Sequence, residues 1–555
     1  MSPAEINEIL QKININPDET DNRELTKVLP ILFQVIERLS QENEKFKIEI
    51  QKLRDEISLL KGEQGKPKIP PNKKPGKNIS SEKERKKREK KKEKKSKAKK
   101  HKIKIDRTKV CKVDRSVLPQ DAVFKGHDSV IIQEILIKTD NVEYKKEVFY
   151  SATEKKTYVG QLPAGVIGEY GPGVRSLVCT LKHVANMSEP KIQELLENCG
   201  ILISQSTISR ILTSDESGFN KEKDDIFCAS LETTPFQQID DTTIRVNGKN
   251  QYSQIFCNPY YTAFFTVPYK NRLTILDILL SGKERTYRFD LKAFCLLSEF
   301  KISQKVIKQI RDLTDDREIS EAEMQTLLKI IFPDAKKGKN TKTRIMEAAA
   351  IASYHRQTEI PVVNILLSDD APQFKRLTEE HALCWIHEGR HYNRLGPIVP
   401  FNVGELKKFK TRFWDYYGDL LNYKENPNPE TAARLSSEFD DLFSTKTGYN
   451  DLDDRIEKTR NKKEALLQVL KYPLLPLHNN DSELGARVEK RRQDISLQTK
   501  STKGTKAKDS FLTVTQTAKK LGVNAYKYIY DRISKTYNMQ ALSDLIRQNS
   551  LPQIE

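Results

Sequence analysis

Apolar positions along this chain fall into two kinds of pattern. Between residues 36 and 60 they recur every three and four residues. Ile36, Asn43, Ile50 and Ile57 hold one heptad position, and Leu39, Phe46, Leu53 and Leu60 hold the position three residues on. Elsewhere short, unbroken runs of β-branched and aromatic residues are bounded by turn residues, which is the pattern of buried strands. Such runs lead up to Asp240 and Asp369 and fill residues 252–257 and 261–267, with Asn258-Pro259 as the turn between the last two. Helical periodicity returns over 174–184, 282–340, 343–355 and 396–475, and again after Asn480. Strands followed by helices and then a further buried strand predict a mixed α/β sheet with two helical insertions, 282–340 and 396–475.

The heptads over 21–61 predict a parallel dimeric coiled coil. Ile at a with Leu at d favours two strands, and the single Asn43 at a fixes register. Glu42, Glu49 and Glu56 at g would face Lys47, Arg54 and Lys61 at e of a partner chain. An amphipathic helix packed on its own protein does not require that match. Pro30 is expected to bound the helix on one side, and Gly62 and Gly65 on the other.

Residues 62–109 are Pro/Gly/Asn-rich and then Lys/Arg-rich, a composition that predicts a disordered basic linker able to contact DNA phosphates. Residues 110–165 contain two strand-like runs, 130–137 and 147–150, and predict a small β-rich module. In 166–216, Gly171-Pro172-Gly173 opens one helix, Ser188-Glu189-Pro190 a second and Ser204 a third. A Gly-containing turn followed by a polar-faced helix describes a helix-turn-helix, with Gln205, Ser206, Thr207 and Arg210 facing a DNA groove. A plain three-helix packing unit is the competing reading.

The candidate chemistry lies in three acids. Asp240 and Asp369 each end a strand-like run with a second aspartate beside them. Glu483 stands at a predicted helix start in His478-Asn479-Asn480-Asp481-Ser482-Glu483. Two strand-end aspartates and a helical glutamate are hard oxygen donors suited to two Mg²⁺ (or Mn²⁺) ions and phosphodiester chemistry. Cys384-Trp385-Ile386-His387-Glu388-Gly389-Arg390-His391 has the spacing of a partial zinc motif, but a fourth, distant ligand is missing. It reads better as a helix placing His387 and Arg390 to touch a scissile phosphate or orient a carboxylate. Arg487, Lys490, Arg491 and Arg492, followed by a basic loop over 500–508, lie beside the third acid and suit phosphate contacts.

The formal charge of +19 refines this picture. Residues 61–109 hold 23 Lys and Arg against 6 Asp and Glu, so the rest of the chain carries only about +2. The catalytic region is not a generally basic surface. Seven scattered cysteines without a Cys-x-x-Cys pair fit free thiols in a reducing cytosol. No apolar run approaches a membrane span, and no signal peptide is evident.

The acid motifs, the Cys-Trp-x-His-x-x-Arg run and the Gly-Pro-Gly helix-turn-helix, in this order, resemble bacterial insertion-sequence transposases of the IS-sixty-six group. The resemblance spans roughly residues 165–530. It implies an RNase H-like DDE catalytic domain over 217–535, then a C-terminal helix and tail over 536–555. Asp240, Asp369 and Glu483 match the family's catalytic acids, with two divalent metal ions per site. The resemblance further implies double-stranded DNA as substrate, strand cleavage followed by 3′-OH transfer, and a bacterial, nucleoid-associated protein. Only Cys111 stands where relatives often carry a Cys-Pro-x-Cys zinc module. Asp241 and Asp370 replace the family's Glu and Gly, which leaves open which acid of each pair binds metal. Two other readings compete: a DNA-binding or architectural protein with a decayed core, and an RNase H-like nuclease without strand transfer.

Overall fold

The computed structural model describes residues 23–60 and 103–549, apart from residues 115, 117, 120, 136, 216 and 335–337. The expected linker therefore lies outside the described residues as far as residue 102. The chain divides into two compact units: residues 80–161 with 193–203, and the remainder.

Helix α1 (Arg23–Leu60) belongs to the larger unit and runs through Pro30, so the expected boundary at that proline is corrected. The helix does two things along its length. Near its start Phe33 and Glu37 are buried, Phe33 against Phe401. Glu37 Oε1 accepts from the Ile398 and Val399 amides at 2.8 and 3.0 Å, supplying a carboxylate to the N-terminus of a helix that starts at Pro400. Farther on, Leu39, Phe46, Ile50, Leu53 and Ile57 remain exposed along one seam.

The smaller unit contains one antiparallel hairpin, β1 (Val148–Ser151) with β2 (Lys156–Val159). The strand expected over 130–137 does not form among the described residues. No neighbouring strand pairs with it, and Val130, Ile132 and Ile135 are exposed. An apolar run becomes a strand only when its backbone groups find partners.

Three helices follow: α2 (Pro172–His183), α3 (Glu189–Asn198) and α4 (Gln205–Thr213). Pro172 opens α2, where its missing N–H costs nothing. Ser204 caps α4 by accepting from the Thr207 amide at 3.3 Å. α3 is divided between the two units.

The larger unit is built on a five-stranded mixed sheet. After α5 (Phe219–Thr233) come β3 (Phe236–Val246), β4 (Lys249–Cys257) and β5 (Thr262–Val267), an antiparallel meander. α6 (Arg272–Leu279) leads to the predicted insertion. It holds the two-residue strands β6 (Tyr287–Arg288) and β7 (Glu318–Ile319), with α7 (Leu291–Glu299) and α8 (Gln304–Leu313) between them and α9 (Glu321–Ile331) after. α10 (Lys339–Arg356) presents Ala348, Ala349, Ala350 and Ala352 inward, and these small side chains let it lie close to α6 and α7. It returns the chain to β8 (Ile365–Ser368), which pairs parallel with β3, and β9 (Glu380–Leu383) pairs parallel with β8. The strand order is β5-β4-β3-β8-β9.

Beyond β9, α11 (Trp385–Arg394) precedes the second insertion: α12 (Pro400–Glu425), α13 (Pro429–Leu442), α14 (Asn450–Arg460) and two short turns, Lys463–Leu466 and Gln468–Lys471. This insertion has its own aromatic core, in which Trp385 meets Phe413, Tyr416 and Phe439. The chain then returns as α15 (Asn480–Ser496), α16 (Thr502–Lys520), α17 (Ala525–Ile533) and α18 (Leu542–Gln548).

α16 covers the open edge of the sheet. Thr517, Thr513 and Asp509, spaced every fourth residue, accept from the Thr262, Phe264 and Thr266 amides of β5, spaced every second, at 3.3, 3.1 and 2.7 Å. Four helical residues rise about 6 Å and two strand residues about 6.8 Å, so the two periods run in step. Polar side chains thus satisfy backbone donors that would otherwise form an unpaired edge. The basic loop expected over 500–508 is instead the first turns of α16, capped by Ser501. Lys508 is 2% exposed and paired with Glu489 and Asp509.

Candidate active site

The register of the central strands brings the first two acids together. β3 and β8 pair in parallel through Gln238↔Leu367, so Asp240 and Asp369, each two residues on, lie at the same end of adjacent strands. Asp240 does not end its strand as expected. β3 continues to Val246 because β4 pairs with it in antiparallel fashion, Asp240 opposite Ile255. What ends near Asp240 is the parallel pairing. Asp369 directly follows β8, and its Oδ1 accepts from the Ala371 amide at 3.1 Å.

The neighbouring acids are held elsewhere. Asp241 takes Lys270 Nζ at 2.6 Å and Gln373 Nε2 at 2.7 Å. Asp370 takes both Lys375 and Lys462 at 2.6 Å, and those hydrogen bonds outweigh burial to hold its carboxyl below the usual range. Asp241 and Asp370 are thus occupied by lysines. Asp240 instead receives the Asp241 amide at 2.8 Å. Burial first, then the charges of Asp369, Asp241 and Glu483, push its carboxyl up to about 7.

The third acid enters from α15. Asn479, fully buried, donates from Nδ2 to the Ile239 carbonyl at 3.1 Å, fixing the start of α15 beside β3. Glu483 lies one turn on. Gly485 lets the helix come close, since a Cβ there would stand 2.7 Å from Ile255 Cγ2. Arg390 of α11 grips the Glu483 carboxylate with two hydrogen bonds, at 3.0 and 3.1 Å, and donates to His387 Nε2 at 3.1 Å. His387 Nδ1 lies 3.5 Å from Glu483 Oε1, and burial holds this imidazole below the ordinary histidine range. His387 and Arg390 therefore lie against the Glu483 carboxylate.

α11 is fastened from both sides. The Cys384 amide donates to Ser368 O at 3.0 Å and the Trp385 amide to Leu477 O at 2.9 Å, joining the ends of β8 and β9 to the segment before α15. Lys462 bridges Asp370 at 2.6 Å and the buried Glu388 at 3.1 Å, tying the insertion to the strand end. Gly389 faces Trp414, where a Cβ would meet Cζ2 at 2.5 Å. Lys462, Lys270, Gln373 and the two glycines were not expected from sequence. Only Gly389, Gly485 and Asn479 lay inside runs already singled out.

The predicted DNA-facing residues divide by exposure. Gln205, Ser206 and Arg210 are exposed on α4, and Thr207 is half-buried. Arg487, Lys490 and Arg491 are exposed on α15, although Arg487 also lies 3.6 Å from Glu483 and Lys490 donates to the Thr243 carbonyl. Arg492 is 5% exposed and lies 3.8 Å from the buried Glu489, so the structure corrects its expected place on the surface.

The molecule is thus a mixed α/β protein whose central sheet gathers two aspartates against a glutamate held by arginine. No family model matches the sequence. The chain is 31% identical over 309 residues to the uncharacterized protein y4jO of Sinorhizobium fredii, across 55% of this chain and 94% of that protein. It belongs to the family of that protein. Among the described residues, no helix is long and apolar enough to cross a membrane.

Proposed function

We propose that this chain is a DNA transposase with an RNase H-like catalytic core, cutting the ends of a mobile element and joining the 3′-OH ends to target DNA. The observation that carries the reading is the placement of three carboxylates. Asp240, Asp369 and Glu483 share one end of the sheet, while Asp241 and Asp370 are taken by lysines. The strand order β5-β4-β3-β8-β9, three antiparallel strands followed by two parallel ones, supports the RNase H-like core.

The donor set suits Mg²⁺ or Mn²⁺: three carboxylates, one of them pushed towards neutrality by its neighbours, gain from a hard cation. When bound, such a pair of ions supplies activation of the attacking oxygen and stabilisation of the leaving one. Asp240 and Asp369 would hold them from the strands and Glu483 from α15. Arg390 and His387 fix the Glu483 carboxylate in advance. Gln205, Ser206, Thr207 and Arg210 would read DNA from α4, and Arg487, Lys490 and Arg491 would meet phosphates beside the acids. The exposed seam of α1 supports a parallel homodimer able to hold two DNA ends.

A strand-transfer assay tests the reading. Labelled duplex carrying the element's end is incubated with Mg²⁺ and a supercoiled target. Joined products support a transposase. Cut but never joined ends would reduce it to a nuclease, and binding without cutting to an architectural protein.

A further inference from the structure

A second set of ligand atoms meets at Glu483. Cys384 at the N-cap of α11, His387 one turn on and Glu483 of α15 offer donor atoms that all lie within 4.8 Å of one another. Among the described residues this is the set of three His, Cys, Asp or Glu donors so placed. Sequence alone left the Cys-x-x-His spacing one ligand short, and the fold brings that ligand from 96 positions away, while His391 stays outside the set.

Two further observations bear on a cation. His387 Nδ1 is buried without a hydrogen-bond partner and faces Glu483 Oε1. Burial pushes the Cys384 thiol up to about 11, and the Asn479 amide donating to its Sγ at 3.3 Å offsets only part of that, so a metal must displace the thiol proton. A zinc ion holds donors at about 2.0–2.3 Å, hence roughly 3.5 Å apart, so these side chains need close by only about 1 Å.

We propose that Cys384 Sγ, the His387 imidazole and the Glu483 carboxylate form a binding site for a thiophilic divalent cation of the zinc class, with Arg390 as the competing resident cation. The donor set is sulfur, nitrogen and oxygen, which selects zinc or cobalt over magnesium. Three protein ligands leave the fourth position to water. Binding releases the Cys384 thiol proton to solvent. A metal on Nδ1 puts the ring proton on Nε2, where Arg390 now donates, so the guanidinium must withdraw. The inference goes beyond the transposase reading and is tested without DNA, although the two sites share Glu483.

Co²⁺ titration of the full-length protein, in reducing buffer, tests it. The expected result is a sulfur-to-cobalt charge-transfer band with the visible bands of four-coordinate cobalt, abolished by Zn²⁺. Cys384→Ser removes the charge-transfer band, and His387→Ala weakens binding about tenfold or more. Arg390→Gln tightens it about tenfold, the reverse of what a purely structural arginine would do. Asp240→Asn keeps the charge-transfer band, which distinguishes this sulfur-containing site from one built on Asp240 and Asp369, although both share Glu483. Circular dichroism checks that each variant folds, and His387→Ala, at a half-buried position, decides the matter if Cys384→Ser does not. The proposal is overturned if no thiolate band forms, if the band survives Cys384→Ser and His387→Ala, or if Arg390→Gln weakens binding.

Discussion

Arg390 holds Glu483 in a two-point grip, Nη1 on Oε1 at 3.0 Å and Nη2 on Oε2 at 3.1 Å. Such a fork fixes both the position and the plane of the carboxylate, which a lysine cannot do. Arg390→Lys therefore keeps the charge and loses the orientation. The expected outcome is a fall of about 10- to 100-fold in the rate of end cleavage, with an unchanged melting temperature to within a few degrees. Single-turnover kinetics beside thermal melts measure both. A rate equal to wild type would show that the grip does not serve the reaction.

Asp240 predicts a pH dependence of stability. Its folded carboxyl is pushed up to about 7, chiefly by burial, from an ordinary value near 3.8. The folded state thus holds a proton that the unfolded chain gives up, so stability falls as pH rises from about 4 to about 7. Asp240→Asn mimics the protonated acid. It should raise the melting temperature at pH 8, by an amount worth at most about 4 kcal/mol, and the gain should fade by pH 4. Melts across that range give the answer.

Lys462 joins Asp370 to Glu388, and Glu388 is also held by Arg455 and Thr459. Removing Lys462 takes one of two cations from the buried Glu388 and one of two from Asp370, leaving each carboxylate less fully compensated. Lys462→Met should cost about 2–4 kcal/mol in urea unfolding, and adding Glu388→Gln should recover part of it. Additive losses would show that the bridge is not a coupled unit.

Gly485 sits where α15 meets the sheet, 2.7 Å from Ile255 Cγ2 for any added Cβ. Ordinary helix propensity favours alanine over glycine by about 1 kcal/mol. Here overpacking reverses the sign, and Gly485→Ala should destabilise by about 1–3 kcal/mol while lifting Glu483 from its place. A stabilised variant would contradict that close approach.

The placement of the candidate residues was legible in the sequence to the extent that local pattern carries it. The run ending at Ser368 reads as a buried strand because all four residues of β8 are buried, and Glu483 reads as a helix start because Asn479 and Asn480 precede it. What failed depended on distant partners. The run over 130–137 has strand composition, but no described strand pairs with it. Lys508 and Arg492 look like surface cations in a basic stretch, yet Glu489 and Asp509 draw them inside. Sequence does not separate Asp240 from Asp241, because the partners of Asp241, Lys270 and Gln373, lie 29 and 132 positions away. In α1, Phe33 and Glu37 pack on the chain's own α12 region, as an amphipathic helix would, while the heptad seam beyond stays exposed.

That seam gives a further prediction. Ile50→Lys with Leu53→Lys should leave the protein folded and convert a dimer to a monomer in sedimentation equilibrium. An unchanged mass would place the dimer contact elsewhere.

The most direct measurement is single-turnover cleavage of element-end DNA in Mg²⁺ by wild type, Asp240→Asn, Asp369→Asn and Glu483→Gln, beside Asp241→Asn and Asp370→Asn. Each of the first three variants should lose cleavage by about a thousandfold or more, while the last two retain it within about tenfold. Full activity in any of the first three, or equal loss in all five, would contradict a catalytic centre at Asp240, Asp369 and Glu483.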